Sequence, residues 1–311
     1  MAADEPTAAG PLLAIVGVTA AGKTELAIEV AERLGAEIVC ADSMTLYLGM
    51  DVGTAKPTAE QRARIPHHLI DVVEPSEPFT VARYQRLARM AIEDIGRRGH
   101  QVLLVGGSGL HVRAVVDDLV FPPTEPAVRE RLEAEAAAAG ATAMYRRLAR
   151  LDPPAADRIE PDNLRRTVRA LEVAEITGRP FSSYAEAWDR YPQDHVRAAG
   201  IDVRRPDLYE RIEARLRTQV AEGLIEEVKE LAHRGLAGWL TASRAIGYAE
   251  FARHLEGELS LDEAVARTVK RTKALARRQL AWFRRDPRVR WFAHDERQLA
   301  GAVGGYLQGR A

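Results

Sequence analysis

The chain has little cysteine, few aromatics and almost no net charge. Its one cysteine, Cys40, lies in an apolar run, which excludes a disulfide framework and a cysteine-based zinc site. Cys40 is expected to be a buried strand residue. No apolar run approaches the 18 or so residues a transmembrane helix needs. The first ten residues are small and acidic, without the basic start and apolar stretch of a signal peptide. A frayed tail over residues 1–10 and a cytoplasmic location are expected, with no membrane partner. The formal net charge is -1, so the chain as a whole is neither a basic nucleic-acid binder nor an acidic tail protein.

What is present is enough for a core: 311 residues, of which 46% are hydrophobic and 29% charged. Leu12 to Gly17 reads as an apolar strand entering a glycine turn. In the helix expected over Lys23 to Leu34, Leu26, Ala27, Val30, Ala31 and Leu34 recur at helical spacing. Glu37 to Ala41 is a second strand ending at Asp42, Thr80 to Arg98 a helix stopped by Gly99, and Gln101 to Val105 a third strand before Gly106-Gly107-Ser108-Gly109. This alternation predicts a parallel sheet covered by helices, with ligands at the carboxyl ends of the strands. From Phe121-Pro122-Pro123 to Tyr191-Pro192 the pattern turns helical and alanine-rich. The fold class expected is therefore α/β, a P-loop NTPase-like parallel sheet core (residues 11–120 and 195–311) carrying a helical insertion domain (121–194). Ala198 to Val203 is a candidate returning strand. Long helices are expected over Leu208 to Arg234 and Leu261 to Phe283.

Gly17-Val18-Thr19-Ala20-Ala21-Gly22-Lys23-Thr24 fits the phosphate-loop pattern G-x-x-x-x-G-K-[ST] between a strand and a helix. Backbone N–H groups and the helix N-terminus would cradle phosphate oxygens. Lys23 would add a point charge, and the Thr24 hydroxyl suits a magnesium ion. Nucleotide hydrolases usually end a second strand in a carboxylate that helps hold magnesium. Here Val102 to Val105 runs straight into the glycine turn, and the carboxylate that ends a strand is Asp42. From spacing alone Asp42 is either a general base or a helix cap or outer magnesium ligand. Arg211 and Arg215 share a helix face at i,i+4, where each clamps a phosphate or simply meets solvent. Arg165, Arg166 and Arg169 make a similar stripe. Val265 to Arg290 holds ten Lys or Arg against the single acid Asp286, a local net of +9, with Trp282 and Phe283 interleaved and Trp291 next to it. Such a cluster suits a phosphate backbone. His67 and His68 are adjacent and face opposite ways, a poor metal pair.

These residues resemble the bacterial tRNA dimethylallyltransferase family, which prenylates adenosine 37 beside the anticodon. The resemblance runs from about Pro11 to Phe292. Besides Gly17 to Thr24, it rests on Asp42-Ser43 with Tyr47, Gly49-Met50-Asp51, Gly53-Thr54-Ala55-Lys56-Pro57 and Pro66 to Asp71. It continues through Val105 to Leu110, Arg169 to Val173, Ala245-Ile246-Gly247-Tyr248, and Arg278-Gln279 with Trp282.

The resemblance implies that Gly17 to Thr24 holds the diphosphate of dimethylallyl diphosphate rather than a nucleotide. It makes Asp42 the general base on the adenine N6 amine, sets Thr24 and Arg215 on the diphosphate, and brings in Mg2+ with Thr24 as its ligand. It implies tRNA contacts at Asp42, Ser43, Met44, Thr45 and Ser108, at Arg129, Arg165, Arg166 and Arg169, and at Arg244, Gly247, Tyr248 and Arg278. The partner would be the anticodon stem-loop of tRNAs with an A36-A37-A38 run, cradled by insertion and core, with the enzyme expected to be a monomer. Prenylation of free adenine nucleotide and a small-molecule kinase are the competing readings. The chain departs from the family's usual pattern at Val18, Ala21, Thr45, Leu48, His111 and Ala249. Thr45 offers one hydrogen-bonding group where the usual Gln offers an amide.

Overall fold

The computed structural model describes residues 10–117, 119–184, 188 and 190–310. Apart from Gly10, the expected tail lies outside the described residues. The chain forms two compact units, one of residues up to Val116 and from Pro192 onward, the other Asp117–Tyr191.

The larger unit is built on six strands: β1 Leu12–Val16, β2 Ala36–Cys40, β3 His67–His68, β4 Gln101–Gly106, β5 Val196–Asp202 and β6 Val289–Ala293. They run in the order β3-β2-β4-β1-β5-β6, and every pairing is parallel. Alternate residues of one strand serve opposite faces. Leu13 and Ile15 pack with Leu26, Ala27, Val30 and Ala31 of α1 (Lys23–Leu34) and with Val303 and Leu307 of α13 (Leu299–Leu307). Ala14 and Val16 pack on the other side with Tyr84, Ala88 and Ile95 of α3 (Val81–Arg97) and Val112 of α4 (Gly109–Val116). Each large aliphatic side chain so buried stabilises the fold by about 1.5–3 kcal/mol. Because the strands are parallel and in register, the chain leaves β1, β2 and β4 at one edge, opening into Gly17, Asp42 and Gly107.

The α1, α3 and Leu261–Phe283 helices and the strands β1, β2, β4 and β5 fall where the periodicity places them, within two residues. Three features differ. The single helix expected over Leu208 to Arg234 is two, α9 (Arg205–Ala221) and α10 (Leu224–His233), because Gly223 adopts the left-handed φ of 103° and turns the chain. The turn sends Leu224, Val228 and Leu231 into a third cluster with Tyr47, Met50 and Val73, with Tyr248 and Phe251 of α11 (Tyr248–Leu255), and with Ala264 of α12 (Leu261–Phe283). The end of the basic run is a strand, β6, and two residues of the His67-His68 segment form β3. Both are edge strands of five residues or fewer, too short for alternation to signal.

β2 is buried throughout, including Glu37 at 3% exposure. The Glu37 carboxylate is tied to the Arg98 guanidinium and to His68 Nε2 at 2.6 Å. The bonds from Arg98, foremost, hold its carboxyl at about 2 despite burial. This pairing gives His68 a structural partner and satisfies a charge within the sheet.

The smaller unit holds α5 (Pro126–Ala139), α6 (Ala141–Leu151), α7 (Pro153–Ala156) and α8 (Leu164–Thr177), closed around Leu132, Met144, Leu148, Val168 and Leu171. No helix of the described residues is long and apolar enough to cross a membrane.

Candidate active site

Two cavities, of about 410 and 330 Å3, open at the strand edge of the larger unit and share Thr19, Ala20, Asp42, Thr54, Arg215 and Gln279 in their walls. The smaller one is the phosphate-loop side. Thr19 to Thr24 line it with Asp42, Thr45 and Arg215. The loop leaves β1 and enters α1 through Gly22 at φ 90°, a conformation that glycine adopts without strain. Ala20 takes φ 62° within the same loop, a strained geometry of the kind found at ligand sites. Gly17 and Val18, the first two residues of the loop, line neither cavity. Val18 is buried, and its carbonyl accepts from Lys23 Nζ at 2.6 Å.

Burial lowers the Lys23 ammonium to about 8; the charge of Asp42 opposes this and that of Arg215 adds to it. Burial likewise lowers the Arg215 guanidinium, opposed by Asp42, although an arginine stays charged throughout the working range. Among the described residues Arg215 makes no hydrogen bond or ion pair, so two cations face the cavity with Asp42, while the other carboxylate in its wall, Glu25, is already bonded to Arg64 and Gln61. Such a site suits a multiply charged anion.

Asp42 follows β2. Its Oδ1 accepts from Met44 N at 2.8 Å, which fixes the turn and resolves the cap reading as a local turn rather than a helix cap. Oδ2 makes no hydrogen bond to any described residue. Thr45 is 8% exposed, and its hydroxyl has no partner among the described residues. Thr24 and Asp42 line the same cavity. The described residues contain no group of three His, Cys, Asp or Glu able to hold a metal.

The larger cavity has a different wall. Asp42, Ser43 and Met44 meet Arg244, Gly247 and Tyr248 there, and Arg278 joins them from α12. Gln279, next along α12, fastens the two edges of the site together. Its Oε1 accepts from Thr19 N at 2.9 Å, and its Nε2 donates to Gly107 O at 3.0 Å.

Other expected residues lie elsewhere. Ser108 lines neither cavity; its hydroxyl pairs with His111 Nδ1 at 2.6 Å. His111 is buried with its ring edge-on to Tyr84 at 4.5 Å, and burial lowers its imidazole to about 4. Arg211 does not share the Arg215 cavity but lines a third one with Glu25, Arg33 and His294. In the smaller unit Arg129 and Arg169 both serve the buried Glu172, at 3.2 and 2.8 Å. Arg169 also donates to the carbonyls of Pro122 and Pro123, while Arg165 and Arg166 are exposed.

The +9 run is narrower in space than in sequence. Arg271 pairs with Glu250, Lys273 with Glu213, Arg284 with Asp202 and Arg288 with Asp286. Six remain exposed without an ion pair to a carboxylate among the described residues: Arg277 bonds the Tyr209 hydroxyl, Arg290 lies over the Phe292 and Tyr306 rings, and Arg267, Lys270, Arg278 and Arg285 have neither kind of contact. Residues beyond the phosphate loop also shape the site: Lys56 of the Gly53 to Pro57 segment, and two that no motif singled out, Gln219 and Glu227. Lys56, at 1% side-chain exposure, is tied to Tyr47 O, Asp51 and Asp71. Burial would raise the Asp71 carboxyl, but bonds from Lys56 and Arg62 keep it below its ordinary value. Gln219 and Glu227 hold the backbone at Val52 and Gly53; both sit in ordinary-looking polar helix faces.

The chain matches the family model described as IPP transferase over residues 45–286. It is 50% identical over 286 residues to a tRNA dimethylallyltransferase of Nocardioides sp., covering 92% of each chain. It is 52% identical over 282 residues to one of Streptomyces coelicolor, covering 91% of this chain and 90% of that one. Among solved structures, the full-length tRNA isopentenylpyrophosphate transferase of Bacillus halodurans superposes with a TM-score of 0.69 at 38% identity, over 97% of this chain and 98% of that one. A eukaryotic dimethylallyltransferase acting on tRNA has the same fold, with a TM-score of 0.78 at 23% identity over 97% and 81% of the two chains.

Proposed function

The chain belongs to the IPP transferase family, and from that premise we propose that it transfers a dimethylallyl group from dimethylallyl diphosphate to N6 of adenosine 37 in tRNA. The observation that carries this reading is the wall shared by the two cavities. Asp42 and Arg215 face both, the phosphate loop lines the smaller one from Thr19 to Thr24, and exposed Arg278 stands in the larger. A diphosphate on one side and a nucleotide base on the other would meet at Asp42.

In that reaction the N6 nitrogen forms a bond to the allylic carbon. The bond from that carbon to the diphosphate oxygen breaks, and its electron pair leaves with the diphosphate. Lys23, Arg215 and the loop amides would stabilise the charge that grows on the leaving group. Asp42 would accept the N6 proton, held in place by the Met44 N–H. A target base inside a stacked anticodon loop must leave the stack to reach this depth. Arg244, Gly247, Tyr248 and Arg278 would receive it, and Ser43 and Met44 would flank it.

The Thr24 hydroxyl and the Asp42 carboxylate are hard oxygen donors in one cavity. So sparse a set fits Mg2+ shared with substrate phosphate rather than a protein cage. The ion would add positive charge at the leaving diphosphate. The partner proposed is the anticodon stem-loop of tRNAs with an A36-A37-A38 run, bound in the cytoplasm by a monomer. Arg165 and Arg166 of the smaller unit and the unpaired cations of α12 would supply phosphate contacts.

The test is to incubate the protein with labelled dimethylallyl diphosphate, magnesium and either unmodified tRNA or AMP, and in parallel with ATP and small acceptors. Label is expected in tRNA alone. Label in AMP but not tRNA refutes the choice of acceptor, and phosphate transfer from ATP refutes the reaction class.

A further inference from the structure

Glu227 lies on α10, outside every segment that identifies the phosphate loop or its partners. Its carboxylate is nonetheless among the most heavily engaged groups near the site. Oε2 accepts from Asp51 N and Val52 N, each at 2.8 Å. Oε1 accepts from Gly53 N at 3.1 Å and from the Tyr248 hydroxyl at 2.6 Å. Three successive backbone amides turned toward one carboxylate form an anion nest whose anion is built into the protein. The carbonyl side of the same peptides is held too, since Gln219 Nε2 donates to Val52 O at 2.6 Å and to Gly53 O at 3.2 Å. Gln219 stands one turn beyond Arg215 on α9.

The nest sets Tyr248. A Cβ on Gly53 would lie 2.5 Å from the Tyr248 ring, so the loop and the ring are in direct contact and only glycine allows it. Burial first, then the charge of Glu227 and its hydrogen bond, keep the Tyr248 phenol protonated, which is the form that donates to Oε1. Gly53, Gln219 and Tyr248 line the larger cavity and not the smaller. The far end of the loop is anchored separately by Lys56 through Tyr47 O, Asp51 and Asp71.

We infer that Glu227 is a positioning residue for the nucleic-acid side of the site: by holding the 51–53 loop it fixes Gly53 and Tyr248 in one wall of the cavity that receives the flipped base. The inference deepens the proposed function and rests on it. Removing the carboxylate leaves three amides and a phenol without their acceptor, and the wall relaxes while the phosphate loop, fastened through Gln279, does not.

The experiment measures KM for tRNA and KM for dimethylallyl diphosphate separately in wild type, E227A and E227Q, with tRNA binding followed by fluorescence anisotropy. E227A is expected to raise KM and Kd for tRNA on the order of tenfold, the scale of a small misplacement in a binding wall, with KM for the diphosphate within twofold. E227Q keeps one acceptor oxygen for Asp51 N and Val52 N and should lie between the two. If E227A does not fold, the rise in tRNA KM for E227Q decides the matter. Loss of active enzyme with both KM values unchanged would mean a purely structural role and overturn the inference, as would equal rises in both. Wild-type protein that transfers no label to tRNA refutes the proposed function itself, and the inference with it; normal wild-type transfer with unchanged variants refutes the inference alone.

Discussion

Replacing Arg215 with Met tests the heart of the site. Arg215 spends none of its guanidinium on the described residues, and burial already works against its charge. The exchange should therefore leave the melting temperature unchanged or raise it. Its cost should fall on the diphosphate. A hydrogen bond to a charged group contributes about 1.5–3 kcal/mol, and about 1.4 kcal/mol is tenfold. Accordingly kcat/KM for dimethylallyl diphosphate should fall roughly tenfold to a hundredfold. A second consequence follows from Lys23. Its ammonium sits at about 8, lowered by burial foremost and further by Arg215. Above that pH the wild-type enzyme loses the charge, so its kcat/KM should decline as pH rises through about 8. Without Arg215 the Lys23 value rises and the alkaline decline should move to higher pH. The assay is the pH profile of kcat/KM for the diphosphate, measured with saturating tRNA. A loss smaller than threefold, or a decline that stays in place, would refute the picture of two cations sharing one anion.

Asp42→Asn keeps the acceptor for Met44 N but cannot take a proton, so turnover should fall about a hundredfold or more while tRNA binding stays intact; unchanged turnover removes Asp42 as the base. Burial lowers His111 to about 4, so the neutral form favours the fold: this stability is full above the unfolded value near 6.5 and is lost as pH falls toward 4. About 2 kcal/mol should be gone by pH 5, and urea unfolding of His111→Gln should lack that slope; parallel pH profiles would count against it. Reversing Arg267, Lys270, Arg278 and Arg285 together should weaken tRNA binding and flatten its dependence on salt. An unchanged salt slope would place the RNA elsewhere.

Glycine and lysine at fixed spacing state the phosphate loop, because the cradle is made by backbone and a local pattern encodes local backbone. The strands β1, β2 and β4 were legible because central parallel strands are short continuous apolar runs. The pair β6 and β3 was not, since an edge strand of a few residues carries too little pattern. Charge counted along the chain overstated the basic patch: the acids that neutralise Arg271, Lys273 and Arg284 lie 21, 60 and 82 positions away.

By itself, then, the sequence determined the phosphate loop, the parallel α/β core, Asp42 at a strand end and the family resemblance, all of which depend on neighbours near in the chain. Only the tertiary structure decided that Asp42 and Arg215, far apart in the chain, face one cavity, that Gln279 fastens the phosphate loop to the Gly107 turn, and that Glu227 holds the 51–53 loop. Those facts depend on helix packing across the sheet edge. A hydrogen bond between residues more than 150 positions apart leaves no periodicity to read.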